Sequence, residues 1–271
     1  MPSKSVREIT SPSHPLVKVY RGALAEGTTR DGWLAVEGPF LVEEALAAVP
    51  QVRVHNVLTA SGAAERFSAL LARLPGATEI AQVPDRLFER LAQTQSPQGI
   101  AALAELPKRD LDTLLAQPRP LLLVACGIQD PGNLGAMMRS AWAFRAAALA
   151  TLTDTVSPYN PKVVRSSAGA IFRLPVLGGL NAREAMPLLS RRLRLVAADR
   201  RSPSPLWKAD LTGPLGILVG REATGLPEEV ARQASQLLSI PIEKDVDSLN
   251  AATAASIFLY EAARQRRGGS G

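Results

Sequence analysis

The sequence predicts an α/β protein in two parts, a small α/β unit followed by a larger domain built on a mostly parallel sheet. Three observations carry this expectation. Strand-like apolar runs alternate with helical periods along the whole chain. Two of the runs, 121–128 and 215–219, are apolar without a break, as strands buried on both faces are. Between the parts lies PKRDLDTLLAQPRP (107–120), whose prolines and charges read as a linker. With 271 residues, 46% of them hydrophobic, the chain has material for two cores.

Taken in order, residues 1–30 are basic and turn-rich and read as a solvated arm. Lys4, Arg7, Lys18, Arg21 and Arg30 suit such an arm to phosphate contacts. A short strand follows at 33–37, then Gly38-Pro39 and a helix to about residue 48. Alternation predicts a strand at 52–58, a helix at 63–73, a strand at 79–83, a helix at 84–93 and a strand at 100–106. The second part opens with the strand at 121–128. Helices are expected at 134–144, 162–170, 184–191 and 227–234, and strands at 147–152, 172–177, 193–197 and 215–219. A strand at 236–242 leads through a polar loop to a helix over 248–267, with Asp247 or Ser248 as its N-cap. That helix carries Ala251, Ala252, Ala254, Ala255, Ile257, Phe258, Leu259 and Tyr260, so little polar face remains. A helix so apolar is covered on more than one side, and a second copy of the chain is one candidate cover. The domains are therefore 1–106, a linker at 107–120, and 121–267, with a flexible tail at 268–271.

Lys plus Arg number 31 against 25 for Asp plus Glu, a net charge of +6 that suits a polyanionic partner. A single cysteine, Cys126, excludes an internal disulfide and reads as core packing. With two histidines, His14 and His55, no metal site is expected. No apolar run is long enough to span a bilayer, and the first residues lack a signal-peptide core. A cytoplasmic protein is expected. Trp142 and Trp207 read as structural.

Three loops at strand ends carry the chemistry. Asp130-Pro-Gly-Asn133-Leu-Gly135-Ala-Met-Met-Arg139 follows a buried strand and opens a helix, where open α/β sheets place ligands. Asn133 suits the helix cap, and Arg139 offers a planar fork of donors matched to phosphate. Gly220-Arg-Glu222-Ala-Thr-Gly225-Leu-Pro follows another buried strand, and its glycines let a ligand approach the backbone. Glu222 has an ordinary role there as a carboxylate favoured by the next helix's dipole. The third loop, Ile240-Pro-Ile-Glu-Lys-Asp-Val-Asp-Ser248-Leu-Asn250, offers a hydroxyl and an amide whose ordinary roles are turn formation and capping.

In this order, the loops resemble the three signature motifs of the SpoU/TrmH branch of the SPOUT RNA methyltransferases. Asn133, Gly135 and Arg139 resemble its N-x-G-x-x-x-R pattern. Gly220, Glu222, Gly225 and Leu226 resemble G-x-E-x-x-G-L. Ile240-Pro241, Ser248-Leu249-Asn250 and Leu259-Tyr260-Glu261 resemble the third motif and its helix. SPYNPKVVRSSAGAIFRLPV (157–176) is similar too, as are SPSHPLVKVY, LAVEGPFLVEEAL and TQSPQGIAAL in the first part. Three departures stand out: Arg145 where relatives often have glycine, Glu243-Lys244 in the third loop, and Ala-Ala after Asn250.

The resemblance implies a SPOUT-type knotted methyltransferase domain behind a small substrate-binding domain. It implies a homodimer with the active site near its interface. It also implies S-adenosylmethionine-dependent methylation of a ribose 2′-hydroxyl of RNA, with 23S rRNA as the leading substrate. By position, Leu218, Val219, Gly220, Gly225, Ile240, Ile242, Ser248 and Leu249 would contact the donor. Arg139 would be the main catalytic residue, with Asn133, Glu222, Ser248 and Asn250 around it. Lys18, Arg21, Arg30 and Arg165 would meet RNA. A tRNA methyltransferase and an inactive RNA-binding assembly protein are the alternatives. A nicotinamide oxidoreductase is weaker, since G-x-G-x-x-G is missing at the first strand.

Overall fold

In a computed structural model that describes residues 6–221 and 224–268, the chain divides into two units, Met1–Lys108 with Tyr159–Arg165, and Arg109–Pro158 with Ser166–Gly271. The first contains β1 (Val6–Glu8), α1 (Pro15–Glu26), β2 (Leu34–Glu37), α2 (Pro39–Ala47), β3 (Arg53–Ala60), α3 (Ser68–Ala72), β4 (Glu79–Val83), α4 (Asp85–Glu89) and β5 (Ile100–Glu105). Its sheet runs β1-β4-β3-β5-β2. β1 and β3 are parallel to β4, while β5 is antiparallel to β3 and β2.

Lys4 lies outside the described residues, and from Val6 onward the expected arm is instead regular structure. Val17, Tyr20, Ala23 and Leu24 recur at helical spacing and are buried. The His14 side chain caps α1 by accepting from the Leu16 amide at 3.2 Å, Pro15 opens the helix, and Gly27 ends it at φ 99°. Basic residues interleaved with this stripe hid it. Lys18 and Arg21 occupy the exposed face between the buried positions.

The second unit contains α5 (Leu111–Leu115), β6 (Leu121–Ala125), α6 (Pro131–Ala143), β7 (Ala148–Leu152), β8 (Val176–Leu180), α8 (Ala182–Arg192), β9 (Arg194–Ala198), β10 (Leu215–Val219), α9 (Glu228–Ala231), β11 (Gln236–Leu238) and α10 (Ala251–Gly268). Between β7 and β8 the chain forms α7 (Pro161–Ser166), which belongs to the first unit as far as Arg165. The six-stranded sheet runs β11-β9-β10-β6-β7-β8, and every pairing is parallel. β6 and β10, side by side near its centre, are buried at every residue. The stretch 107–120 is more than a connector. Asp110 caps α5 by accepting from the Thr113 amide at 2.8 Å, and Leu114 and Leu115 join the core.

Other boundaries shift. The expected strand at 172–177 lies at Val176–Leu180, after a 3₁₀ turn over Ala170–Phe172. The strand expected to reach residue 242 stops at Leu238, and α10 begins at Ala251. Neither Asp247 nor Ser248 caps it. Asn250 does, its Oδ1 accepting from the Ala252 amide at 2.9 Å and the Thr253 amide at 3.2 Å. At α6 the cap is Asp130, whose carboxylate accepts from the Asn133 amide at 2.7 Å; Asn133 itself is the third helical residue. α10 buries one face, at Ala251, Ala252, Ala255, Phe258, Leu259 and Ala262, and leaves Tyr260 exposed. Complete burial of Phe258 and Leu259 contributes roughly 1.5–3 kcal/mol each. The tail expected at 268–271 lies outside the described residues beyond Gly268.

The end of α6 explains one departure from the family pattern. The Ala146 amide donates to the Ala141 carbonyl at 2.8 Å and the Arg145 amide to the Trp142 carbonyl at 3.1 Å. This is a Schellman motif, and its left-handed position is Arg145, at φ 59°. A side chain there costs about 1–2 kcal/mol that glycine avoids, partly offset by glycine's greater chain entropy. Arg145→Gly is therefore expected to raise the melting temperature by about 2 °C in calorimetry. A decrease of that size would show that the Arg145 side chain makes a larger stabilising contribution.

Candidate active site

The loops that follow β9, β10 and β11 border a cavity of about 640 Å³ in the second unit. The carboxyl ends of these strands supply Ala198, Val219 and Leu238 to its wall, and Phe258 of α10 adds another part. Parallel strands deliver such loops to one edge of the sheet, where open α/β sheets bind ligands.

The loop after β10 is a tight hairpin. The Arg221 amide donates to the Gly225 carbonyl at 3.0 Å, and the Gly225 amide donates back to the Arg221 carbonyl at 2.9 Å. The Arg221 Nε donates to the Gly127 carbonyl at 3.0 Å, tying this hairpin to the loop after β6. Gly220 is required by close approach: a Cβ there would lie 2.4 Å from the carbonyl carbon and oxygen of Gly225. Glu222, expected in this loop as part of the catalytic set, lies outside the described residues.

Of the eight expected donor contacts, seven line the cavity: Val219, Gly220, Gly225, Ile240, Ile242, Ser248 and Leu249. Leu218 does not. In a parallel strand alternate residues face opposite ways, and Leu218 is fully buried in the core with Val124 and Leu195. The sequence reading missed Asp199, Arg200 and Arg201, which line the cavity from the loop after β9. Their signal was positional: they follow a strand adjacent to β10, so they open onto the same edge.

The polar residues form a second group. The Asn250 Nδ2 donates to the Asn133 Oδ1 at 2.8 Å, joining the first turn of α6 to the cap of α10. Farther along the same helix pair, the hydroxyls of Ser140 and Ser256 are 2.7 Å apart. Gly135 keeps α6 close to Ser166, the last residue of α7, because a Cβ there would meet the backbone of Ser166 at 2.8 Å. Ser248 is exposed on the cavity wall, two residues before Asn250 in the chain. Arg139 is exposed on α6 and does not line the cavity. The structure thus joins Asn133 to Asn250 and sets Ser248 on the cavity wall, without bringing Arg139 to that wall.

Lys18, Arg21, Arg30 and Arg165 all belong to the first unit. The first three are exposed, and Lys18 and Arg21 are neighbours on α1. Arg165 is half-buried in a crevice with Leu24 and Glu37. Cys126 is fully buried, and burial pushes its thiol up to about 12, which suits packing and not nucleophilic chemistry. Trp207 and Trp142 are more exposed than a structural role requires, at 61% and 43%. The Arg173 guanidinium covers the Trp142 ring at 5.0 Å. Among the described residues, no helix is long and apolar enough to cross a membrane, and no cluster of acidic, histidine and cysteine side chains is arranged to hold a metal.

Comparison with known proteins agrees with this geometry. Residues 120–260 match the SpoU rRNA Methylase family, and residues 35–109 match the family described as RNA 2′-O ribose methyltransferase substrate binding. A 23S rRNA (uridine(2479)-2′-O)-methyltransferase of Streptomyces viridochromogenes is 34% identical over 75% of this chain and 73% of its own. A 23S rRNA (guanosine-2′-O-)-methyltransferase of Vibrio parahaemolyticus is 35% identical over 69% of this chain and 78% of its own. The crystal structure of the SpoU methyltransferase AviRb from S. viridochromogenes, in complex with the cofactor AdoMet, is similar with a TM-score of 0.82 and 28% identity. That similarity covers 94% of this chain and 98% of the other. With more than half of its length matching the methylase and the substrate-binding region ahead of it, the chain belongs to the SpoU rRNA Methylase family.

Proposed function

We propose that this protein transfers the methyl group of S-adenosylmethionine to a ribose 2′-hydroxyl of RNA, with 23S rRNA as substrate. The observation that carries the reading is the cavity lined by the second and third motifs at the carboxyl ends of β9, β10 and β11. Its volume suits a ligand of nucleoside-derivative size. Its wall combines apolar Ile240, Leu249 and Phe258 with Gly220, Gly225 and Asp199. S-adenosylmethionine, when bound, supplies a methyl group already activated by its sulfonium. The protein's main task is then to align the hydroxyl with that methyl. The Asn133–Asn250 bond fixes the first and third motifs against each other. Ser248 presents a hydroxyl on the wall that can orient the acceptor ribose. Arg139 serves as a clamp on RNA phosphate and ribose, because a guanidinium holds its proton too tightly to act as a base and offers a planar fork of donors.

Residues 1–106 act as the RNA substrate-binding domain, with Lys18, Arg21, Arg30 and Arg165 as phosphate contacts. Residues 107–120 connect it to the methyltransferase domain, 121–267, whose C-terminal stretch is threaded as a trefoil knot. The working form is a homodimer in the cytoplasm. The half-buried Phe144 and exposed Tyr260, with ring centroids 5.8 Å apart, support a second copy on the α6–α10 face.

Incubation of the protein with methyl-labelled S-adenosylmethionine and total RNA from a bacterial strain lacking this activity tests the reading. Label is expected in one ribose of 23S rRNA. Label confined to tRNA would move the substrate and keep the chemistry. Absence of donor binding would refute the reading and favour an RNA-binding assembly protein.

A further inference from the structure

The loop between β11 and α10 supplies Ile240, Ile242, Asp247, Ser248 and Leu249 to the cavity wall, yet residues 243–248 are exposed. Within it, a turn is closed by the Val246 amide donating to the Glu243 carbonyl at 3.1 Å. Arg200 reaches it from outside, its guanidinium donating to the main-chain carbonyl of Asp247. Arg200 and Asp247 both line the cavity.

Arg200 stands on a rigid base. The Asp199 amide donates to the Leu238 carbonyl at 2.9 Å, and the Asp199 carboxylate accepts from the Arg201 amide at 2.9 Å. The Ser202 amide closes the turn on the Asp199 carbonyl at 3.1 Å. Charge complements the contact. Glu243, Asp245 and Asp247 outnumber Lys244 on the loop, and Arg200 and Arg201 stand on the facing turn. A charged donor on an amide carbonyl makes a stronger bond than a neutral one.

We propose that Arg200 is a positioning residue for the methyl donor, latching the 243–247 loop as a wall of the cavity and slowing donor release. This rests on the reading that the cavity takes S-adenosylmethionine. The latch acts on donor retention and leaves alignment of the reacting groups to other residues. Its loss therefore separates affinity from turnover.

The test compares the full-length parent protein with Arg200→Ala and Arg200→Lys. S-adenosylmethionine binding is measured by calorimetry and methylation by initial rates. The parent binds the donor. In Arg200→Ala the donor Kd and KM are expected to rise about tenfold, with kcat at saturating donor within about twofold of the parent. The melting temperature and the KM for RNA stay unchanged, since the Arg200 side chain is exposed. Arg200→Lys, keeping charge but not the fork, recovers part of the loss. Limited trypsin digestion gives an independent readout, because Lys244 lies in the latched loop. Cleavage after Lys244 is expected to be faster in Arg200→Ala, and saturating donor to restore protection. Parental donor affinity in Arg200→Ala would overturn the latch. So would a fall in kcat at saturating donor with affinity intact. A parent that binds no donor would remove the donor reading and the latch together, an outcome visible before any variant is compared.

Discussion

Replacing Arg139 by alanine is expected to lower kcat by about 10²- to 10³-fold, the usual cost of removing one charged group that steadies the transition state. Donor affinity should not change, because Arg139 does not line the cavity. Stability should also hold. The side chain is exposed on α6, and such surface changes stay within about 0.5 kcal/mol. Arg139→Lys keeps the charge but loses the planar fork, so it should recover only a minor part of the rate. Single-turnover methylation with donor and RNA both saturating isolates the step. A variant that turns over within about threefold of the parent would remove Arg139 from the catalytic role.

The second large effect is expected at Gly220. An alanine Cβ there would meet the Gly225 carbonyl group at 2.4 Å and the Leu226 amide nitrogen at 2.6 Å. All these atoms are main chain, so no side chain can turn aside. The hairpin held by the paired Arg221 and Gly225 amides must shift, and the cavity wall shifts with it. Gly220→Ala should weaken S-adenosylmethionine binding by at least about a hundredfold and cost about 1–3 kcal/mol of stability. Gly225→Ala offers a contrast. Nothing lies within 4 Å of its added Cβ, but its φ is 69°, so its cost is conformational, about 1–2 kcal/mol. Calorimetric binding and thermal unfolding of both variants distinguish the causes. Parental donor affinity in Gly220→Ala would show that the hairpin absorbs the clash without moving the wall.

The second unit was legible because β6 and β10 are short, uninterrupted apolar runs, a pattern few other elements produce. Motif order then placed most of the cavity wall. What escaped detection had physical causes. α1 alternates buried Val17 and Tyr20 with exposed Lys18 and Arg21, so its composition read as an arm although its spacing was helical. Capping failed at both α6 and α10 for one reason. More than one candidate cap stands at each start, Asp130 and Asn133 at α6 and Asp247, Ser248 and Asn250 at α10, and only the chain's path decides which side chain faces the free amides. Leu218 shows a limit of motif transfer, because one step along a strand moves a side chain from the cavity edge into the core. Asp199–Arg201 escaped because no motif contains them; their place comes from β9 pairing with β10.

The order of elements also has a consequence in time. All five strands of the first unit's sheet have been synthesised at Glu105, whereas the cavity is walled by residues from Ala198 through Phe258. A ribosome delivers the chain N-terminus first, and domains tend to fold as units while it does so. The substrate-binding unit's sheet can therefore form while the donor wall is still unsynthesised. Competence for methyl transfer arrives only when α10 has emerged, so a chain cut short before Phe258 keeps that sheet and has no complete place for the donor.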